Sequence, residues 1–215
     1  MNKNIDGESD GSFRECSTKE NLYVLYIPKH CGKKSLLPKI IEDFLNGRNI
    51  VFKVVISPAF LGHKSSFILA MSKIFRGHVS EIALYKGMNR GKSGTNWLNF
   101  NKHGFHYTLS IPVKKYRTKD DHRKMIFFNN NANETEAILI GSSNFSEKTY
   151  FGTDKGEADI LLFYNEKFCQ FCRGAILDNE RYFNCVLSES IEMPRGATPQ
   201  SYLTSIYDEF RRNAR

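Results

Sequence analysis

The fold is decided by residues 121–162, which read DHRKMIFFNNNANETEAILIGSSNFSEKTYFGTDKGEADILL. This order of residues is typical of a strand, a turn, a second strand, a short helix, a loop and a third strand. Side chains alternate between the two faces of an extended chain, so His122 and Lys124 project from one face of the first strand. Arg123 and Met125 project from the other face. The pattern therefore predicts an imidazole beside an ammonium group.

The second strand of this stretch, AILIG at residues 137–141, is an almost unbroken apolar run that ends in glycine. Such a run is expected of a strand that is buried on both faces. It delivers Ser142 and Asn144 to the end of a strand. Glu157 comes shortly before the third strand, ADILLFY, and could return to the same place.

These residue types suit attack on a phosphodiester, which is anionic and unreactive. A site for that reaction needs fixed positive charge and hydrogen-bond donors on the non-bridging oxygens, together with a nucleophile that works near neutral pH. Lys124 supplies the charge, and Ser142 and Asn144 supply donors. His122 is the candidate nucleophile, because imidazole is substantially unprotonated at pH 7. Glu157 would fix its tautomer, and the scheme requires no metal or other cofactor.

The same residues, in the same order, resemble the signature of the phospholipase D superfamily. That signature is His-x-Lys, an Asp after four further residues, Gly-Ser-x-Asn and a downstream Glu. It is matched here by His122, Lys124, the GSSN turn at residues 141–144, and Glu157. Asn129 stands where the family pattern has Asp; since that Asp is generally a supporting residue, catalysis stays plausible, although typical lipase members are disfavoured. The resemblance implies a metal-independent nuclease, because some restriction endonucleases and related nucleases of the superfamily resemble this variant more closely.

Enzymes of this superfamily use two His-Lys sets, one histidine to attack phosphorus and the other to protonate the leaving oxygen. This chain has one set, because its other histidines are not followed two residues later by lysine; they are His30, His63, His78, His103 and His106. The resemblance therefore implies a symmetric homodimer in which two copies of His122, Lys124 and Asn144 form one shared site. One His122 would become phosphohistidine, and its mate would act as general acid and then as general base on a DNA substrate.

Two other functions stay open. The first is a catalytically silent nucleic-acid-binding module, which the Asn129 departure keeps open. The second is a phospholipid phosphodiesterase, which would need an apolar entry groove; neither an amphipathic membrane helix nor an apolar loop is evident near residues 86–120. Taken singly, a histidine and a lysine on a strand are usually a solvated face, and GSSN is a common turn. Their conjunction in one order is what favours catalysis.

Composition bounds the class of protein. The chain has 215 residues, of which 40% are hydrophobic and 13% aromatic, enough to bury the core of one large domain. Its net charge of +8 favours a polyanionic partner such as nucleic acid. Five cysteines, with a polar N-terminus in place of a secretory leader, predict a reducing compartment and hence the cytoplasm. No window approaches the ~18 consecutive apolar residues of a membrane span, so no membrane partner is expected.

The rest of the chain predicts an α/β fold. Residues 1–19 are polar, without apolar periodicity, and are predicted to be a flexible tail, which leaves residues 20–215 as one catalytic domain. Apolar runs and helical spacing predict strand, helix, strand, helix and strand in turn at residues 21–28, 35–45, 50–57, 67–75 and 81–85. That order predicts a mixed, largely parallel sheet with helices on both faces. Further on, we expect an edge strand at residues 181–187 and helices at residues 166–178 and 201–212.

Basic residues cluster in two places before this stretch, and we predict that they contact the nucleic-acid backbone. They are Arg90 and Lys92, near Trp97, and then Lys114, Lys115, Arg117 and Lys119. The run KGMNRGKSGTNW at residues 86–97 is not expected to be a phosphate-binding loop, since its spacing is one residue short of that consensus. The alternative is that the tryptophan packs in the core and the cations are solvated.

Two other pairs of residues have metal-like spacing but lack partners. His103 and His106 offer only two ligands, and Cys169 and Cys172 have no second cysteine pair and no matching histidine pair downstream. We therefore expect structural histidines, two core cysteines one helical turn apart, and no metal site.

Overall fold

The structure is a computed structural model of the 215-residue chain. It describes residues 21–57, 65–86, 112–117, 123–153, 156–178, 181–189, 193 and 195–214. The predicted tail at residues 1–19 lies outside these ranges, as do His122 and the segment at residues 87–111. The place of His122 in the candidate site is therefore a prediction from the sequence.

The described residues form eight strands and five helices. In chain order they are β1 (Tyr23–Lys29), α1 (Leu37–Asn46), β2 (Phe52–Ser57), α2 (Ser65–Phe75), β3 (Val79–Lys86), β4 (Val113–Arg117), β5 (Met125–Asn129), β6 (Thr135–Gly141), α3 (Glu147–Tyr150), β7 (Glu157–Phe163), α4 (Glu166–Leu177), β8 (Val186–Glu189) and α5 (Pro199–Asn213). The chain is thus α/β, with the strands and helices of its first third where the apolar patterns place them.

All eight described strands belong to one sheet, in the order β4-β3-β2-β5-β6-β7-β1-β8. β3 pairs with β2 and with β4 in parallel, whereas the other five neighbouring pairs are antiparallel. The sheet is therefore mixed, but the prediction that it is largely parallel is wrong. β5 and β6 are joined by residues 130–134 alone, a connection too short for a crossover, so these strands pair antiparallel. β7 also pairs antiparallel with β6, after the longer connection that contains α3.

The β5-β6-β7 meander lies between β1 and β2 in the sheet. β1 still runs in the same direction as β2, because four antiparallel pairings separate them. As a result, the C-terminal ends of β1, β2 and β6 and the N-terminal ends of β5 and β7 share one edge of the sheet. We call this row of strand ends the catalytic edge, because the residues predicted to be catalytic lie there; it is distinct from the outer strands β4 and β8.

Alternate residues of the strands divide between two hydrophobic clusters. Val54 and Ile56 of β2 join a cluster with apolar residues of α1, α2 and α4, whereas Val55 joins a cluster with residues of α5. Phe127 of β5 is buried in the second cluster, 4.9 Å from the Phe210 ring of α5 between centroids. In β6, the predicted apolar run is buried at Ala137, Ile138 and Leu139 and partly exposed at Ile140 and Gly141.

Helix α5 begins two residues before the predicted segment because of its N-terminal cap. The Ser201 backbone N–H donates to the Thr198 hydroxyl oxygen at 3.1 Å, and the Thr198 N–H donates to the Ser201 hydroxyl oxygen at 2.9 Å. Pro199 occupies the first turn, where its fixed φ suits a helix and its missing N–H costs nothing. The cap therefore extends the helix beyond its apolar pattern.

The cysteines of α4 lie in the core. Cys169 and Cys172 are both 0% exposed, as predicted from their spacing. Burial raises the pKa of the Cys172 thiol above its usual range and raises that of Cys185 to about 11. Within the described ranges, no three His, Cys, Asp or Glu side chains are grouped so as to hold a metal ion. None of the described helices has the length and apolar character needed to cross a membrane.

Candidate active site

Three neighbouring strands carry the candidate residues to the catalytic edge. Lys124 immediately precedes β5, and its backbone carbonyl accepts a hydrogen bond from the Gly141 N–H of β6 at 3.2 Å. Gly141 in turn lies opposite Asp159 of β7. Lys124, Gly141 and Asp159 therefore form one row across three strands, with the glycine in the middle.

Ser142, the first residue after β6, is joined to Glu157 at the start of β7. Its hydroxyl donates to Glu157 Oε2 at 2.5 Å and accepts from the Ala158 N–H at 2.9 Å. The structure thus brings these two sequence-predicted residues into direct contact at the catalytic edge. Their hydrogen bonds tie the GSSN turn to β7, so Ser142 positions the Glu157 carboxylate beside the turn.

Asn144 is held by its backbone. Its carbonyl accepts from the Ser146 N–H at 2.8 Å, which closes the turn before α3. The side-chain oxygen, Oδ1, is buried, and no donor among the described residues reaches it. Unpaired buried polar atoms are uncommon in folded proteins, and this one lies two residues from Ser142 in the same turn. Its acceptor capacity is therefore not used by any donor among the described residues.

Asp159 is a site residue that the sequence reasoning missed. Its carboxylate, 3% exposed, accepts from the Ser143 hydroxyl at 2.5 Å and from the Ser143 N–H at 3.2 Å. Burial raises the pKa of this carboxyl to about 6; the Glu157 charge adds to the rise, while the Ser143 hydrogen bonds and the Lys124 charge oppose it. The signal that could have found it is an acidic residue two positions beyond Glu157, hence on the same strand face, inside an otherwise apolar run.

Asp159 and Lys124 share a small cavity at the catalytic edge. It is lined by Ile56, Ser57, Lys124, Met125, Ile126, Leu139, Ser143, Tyr150 and Asp159. Burial is the main reason that the pKa of the Tyr150 hydroxyl is raised well above its usual value, and the Asp159 charge adds to it. Burial of the Asp159 carboxyl therefore strengthens its interaction with the nearby Lys124 charge.

The predicted nucleic-acid contacts lie mostly outside the described residues. Lys114 is the exception, and its ammonium donates to Glu81 Oε2 of the neighbouring strand at 2.8 Å. Lys115 and Arg117 lie on β4, but their side chains are not described. The residues outside the described ranges are Arg90, Lys92, Trp97, His103, His106 and Lys119. The basic run at residues 114–117 is therefore an edge strand and not a solvated loop, and at least one of its cations is paired.

Comparison with known proteins places this geometry in context. No protein-family model matches the chain, and no curated protein matches it. Among solved structures, it is similar to Nuc, a phospholipase D family member from Salmonella typhimurium, with a TM-score of 0.44 and 11% identity over 74% of this chain and 95% of that one. NucT from Helicobacter pylori gives 0.38 and 12%, over 65% of this chain and 84% of that one. Yeast tyrosyl-DNA phosphodiesterase gives 0.36 and 15%, over 64% of this chain and 31% of that one.

The chain resembles the phospholipase D superfamily. One of the similar structures, Nuc, is described as a phospholipase D family member, the family whose motif the sequence resembles. Every identity is below 25% and every TM-score below 0.5, so the similarity does not decide what this chain binds or cleaves.

The departure from the phospholipase D pattern, Asn129, lies at the far end of β5 from the catalytic edge. Five residues of extended chain separate it from Lys124, roughly 16 Å. The Asn129 amide is 2% exposed, and its oxygen accepts from the Thr135 hydroxyl at 2.9 Å. Its hydrogen bond with the Tyr207 side chain of α5 opposes the burial that raises the Tyr207 pKa, as a donated hydrogen bond does. An ionised carboxylate could accept from Thr135 but could not donate to Tyr207, so the amide has a structural role at this end of β5.

We expect the folded state to lose stability as Asp159 ionises. Its pKa rises from an ordinary value of 3.8 to about 6 in the folded protein. The folded protein thus binds this proton more tightly than the unfolded chain does, and protonation favours folding. The stabilisation is fully present below about pH 4 and is lost as the pH rises through 6. The free energy of unfolding lost in this way is at most about 3 kcal/mol. Asp159→Asn removes the loss, so its unfolding free energy relative to wild type should rise from pH 5 to pH 8 in urea titrations. Parallel pH dependences for the two proteins would contradict the assignment.

Proposed function

We propose that this chain is a metal-independent endonuclease that hydrolyses phosphodiester bonds of DNA through a phosphohistidine intermediate. The observation that supports this most is the meeting of Lys124, Ser142 and Glu157 at one edge of the sheet, with His122 two residues before the lysine. A cation, a hydrogen-bonded carboxylate and an adjacent imidazole are the groups that in-line attack on an anionic diester needs.

In the proposed reaction, a His122 ring nitrogen attacks phosphorus, forming an N–P bond as the P–O bond to the leaving strand breaks. The partner subunit's His122 gives its proton to that leaving oxygen. It then takes a proton from water, whose oxygen attacks phosphorus as the N–P bond breaks and His122 is released. Lys124 and Asn144 stabilise charge on the non-bridging oxygens, and Glu157, held by Ser142, orients the imidazole.

The cleavage assay that tests this function uses the full-length chain and supercoiled plasmid DNA in excess EDTA. Nicked and linear products are expected, with phosphate retained on one product end. A protein that binds DNA without cutting it under any condition would instead be the nucleic-acid-binding module. Absence of both binding and cleavage would reject the function, and hydrolysis of phospholipid vesicles in place of DNA would select the lipid alternative.

If the two subunits share one site, a dimer of one inactive and one active subunit is expected to be inactive. When wild type is mixed with an equal amount of His122→Ala protein and subunits exchange, about one quarter of the dimers carry two intact sets. The cleavage rate per wild-type subunit should therefore fall by about half. A His78→Ala protein is the matched control, because His78 immediately precedes β3 at the opposite edge of the sheet. An unchanged rate after exchange would mean that each subunit works alone.

A further inference from the structure

The Asp159 carboxylate lies directly over Gly141. A Cβ atom placed on Gly141 would be 2.1 Å from Asp159 Oδ1, so the glycine leaves the space that the carboxylate occupies. Lys124 is the next residue in the same row and lines the same cavity. No side chain at position 141 therefore separates this carboxylate from the cation that is proposed to hold the phosphodiester.

We propose that substrate binding at the catalytic edge is linked to a proton on Asp159, such that the site holds a phosphodiester more tightly when this carboxyl is neutral. The inference rests on the proposed function, because it takes the ligand at Lys124 to be a phosphodiester of nucleic acid. Beyond that function, the linkage assigns to Asp159 the control of the net charge at the catalytic edge.

The linkage follows from the charges that face the carboxyl. Lys124, just before β5, is a cation in the same cavity, Glu157 lies on the same face of β7, and Tyr150 of α3 is a neutral hydroxyl. On β1, the buried ammonium of Lys29 faces the same side opposite Glu157 and donates to the Lys148 and Thr149 carbonyls. When Asp159 is ionised, its carboxylate and that of Glu157 offset these two ammonium groups, and an incoming diester anion is held less tightly. When Asp159 is neutral, the charge of Lys124 is less compensated. Because Asp159 is buried, solvent screens this difference poorly.

The proton is available in an accessible pH range. Burial raises the pKa of Asp159 to about 6, so the group is mostly neutral at pH 5 and mostly ionised at pH 8. A bound anion nearby disfavours the ionised form and raises this pKa further. Affinity for the anion must then fall as the pH rises through this range, since the same coupling acts in both directions.

The test measures binding of a fluorescent single-stranded oligonucleotide to His122→Ala protein from pH 5 to pH 8 at constant ionic strength. Its phosphodiesters do not titrate there, and the variant lacks the imidazole of His122, which is two residues before Lys124 in the sequence. We expect affinity to fall about tenfold across the range. In the double variant with Asp159→Asn, affinity should stay high and nearly level. In the double variant with Glu157→Gln, the matched neighbouring carboxylate, the pH dependence should persist.

A second variant moves the transition without removing the carboxyl. The Ser143 hydrogen bonds lower the pKa of Asp159, so Ser143→Ala should shift the midpoint of the affinity change to higher pH. An unshifted midpoint, or the same pH dependence with and without Asp159→Asn, would overturn the linkage while leaving the proposed function intact. Absence of oligonucleotide binding at every pH would overturn both.

Discussion

Replacing His122 with alanine is expected to reduce the rate of DNA cleavage by at least about 10³-fold, because the variant loses the atom that forms the bond to phosphorus. In a shared site, the change also removes the group that protonates the leaving oxygen. Gel-based cleavage rates under single-turnover conditions measure the effect. Rapid alkaline quenching with labelled substrate, in which the N–P bond of phosphohistidine is stable, should trap a covalent protein–phosphate adduct in wild type and none in the variant.

DNA affinity separates a catalytic loss from a structural one in this experiment. The His122→Ala protein should bind DNA at least as well as wild type at pH 7, because Lys124 and the GSSN turn are retained. His78→Ala provides the matched histidine control and should cleave at close to the wild-type rate, since His78 lies at the opposite edge of the sheet. Cleavage by His122→Ala within tenfold of wild type would exclude this histidine as the nucleophile.

Individual strands and helices could be predicted from the sequence because their apolar spacing reflects burial. AILIG has no polar residue to expose, and the structure buries that strand from Thr135 to Leu139. Helix α1 lies where the apolar residues recur at helical spacing, and it ends at Gly47. Burial of one face or of both faces determines which positions of a segment are apolar. Individual helices and strands can therefore be predicted from the spacing of apolar residues within the segment.

The order of the strands could not be predicted in the same way. The alternation of strands and helices in residues 21–85 correctly indicates that β1 and β2 run in the same direction, but it does not reveal that β5, β6 and β7 lie between them. That insertion depends on pairing between segments more than a hundred residues apart, such as β1 with β7. Periodicity within a segment carries no information about its partner in the sheet.

Some residues of the candidate site could likewise be predicted from the sequence, and others could not. Ser142 and Glu157 belong to a spaced motif, and the structure joins them by a hydrogen bond. Asp159 belongs to no motif, and its importance arises from its place opposite Gly141 and in one row with Lys124. Lys114, which stays a predicted nucleic-acid contact, lies 2.8 Å from Glu81 Oε2 of the neighbouring strand, a pairing that its position in a charge run does not indicate. Whether a charged side chain is paired thus depends on the residues opposite it on neighbouring strands, which the local sequence pattern does not reveal.

Substituting Gly141 with alanine is expected to destabilise the folded protein by roughly 3 kcal/mol. The added Cβ would lie 2.1 Å from Asp159 Oδ1, 2.5 Å from the Ala158 carbonyl oxygen and 2.6 Å from the Asp159 Cα. The first contact could be relieved by moving a side chain, but the other two are with the backbone of β7, which is paired on both sides. Urea unfolding at pH 7 measures the loss, and DNA cleavage should fall with it because the GSSN turn must shift.

The backbone origin of this cost can be tested with two further variants. Gly141→Ala combined with Asp159→Ala should recover little stability relative to Asp159→Ala alone, because the contacts with Ala158 O and Asp159 Cα persist. Gly174→Ala is the matched control: no atom lies within 4 Å of a Cβ added there, and an alanine inside α4 should stabilise by up to about 1 kcal/mol. Equal and small effects at both glycines would show that β6 and β7 can separate at this point. In that case the row of Lys124, Gly141 and Asp159 would not be rigid enough to couple the proton on Asp159 to the bound anion.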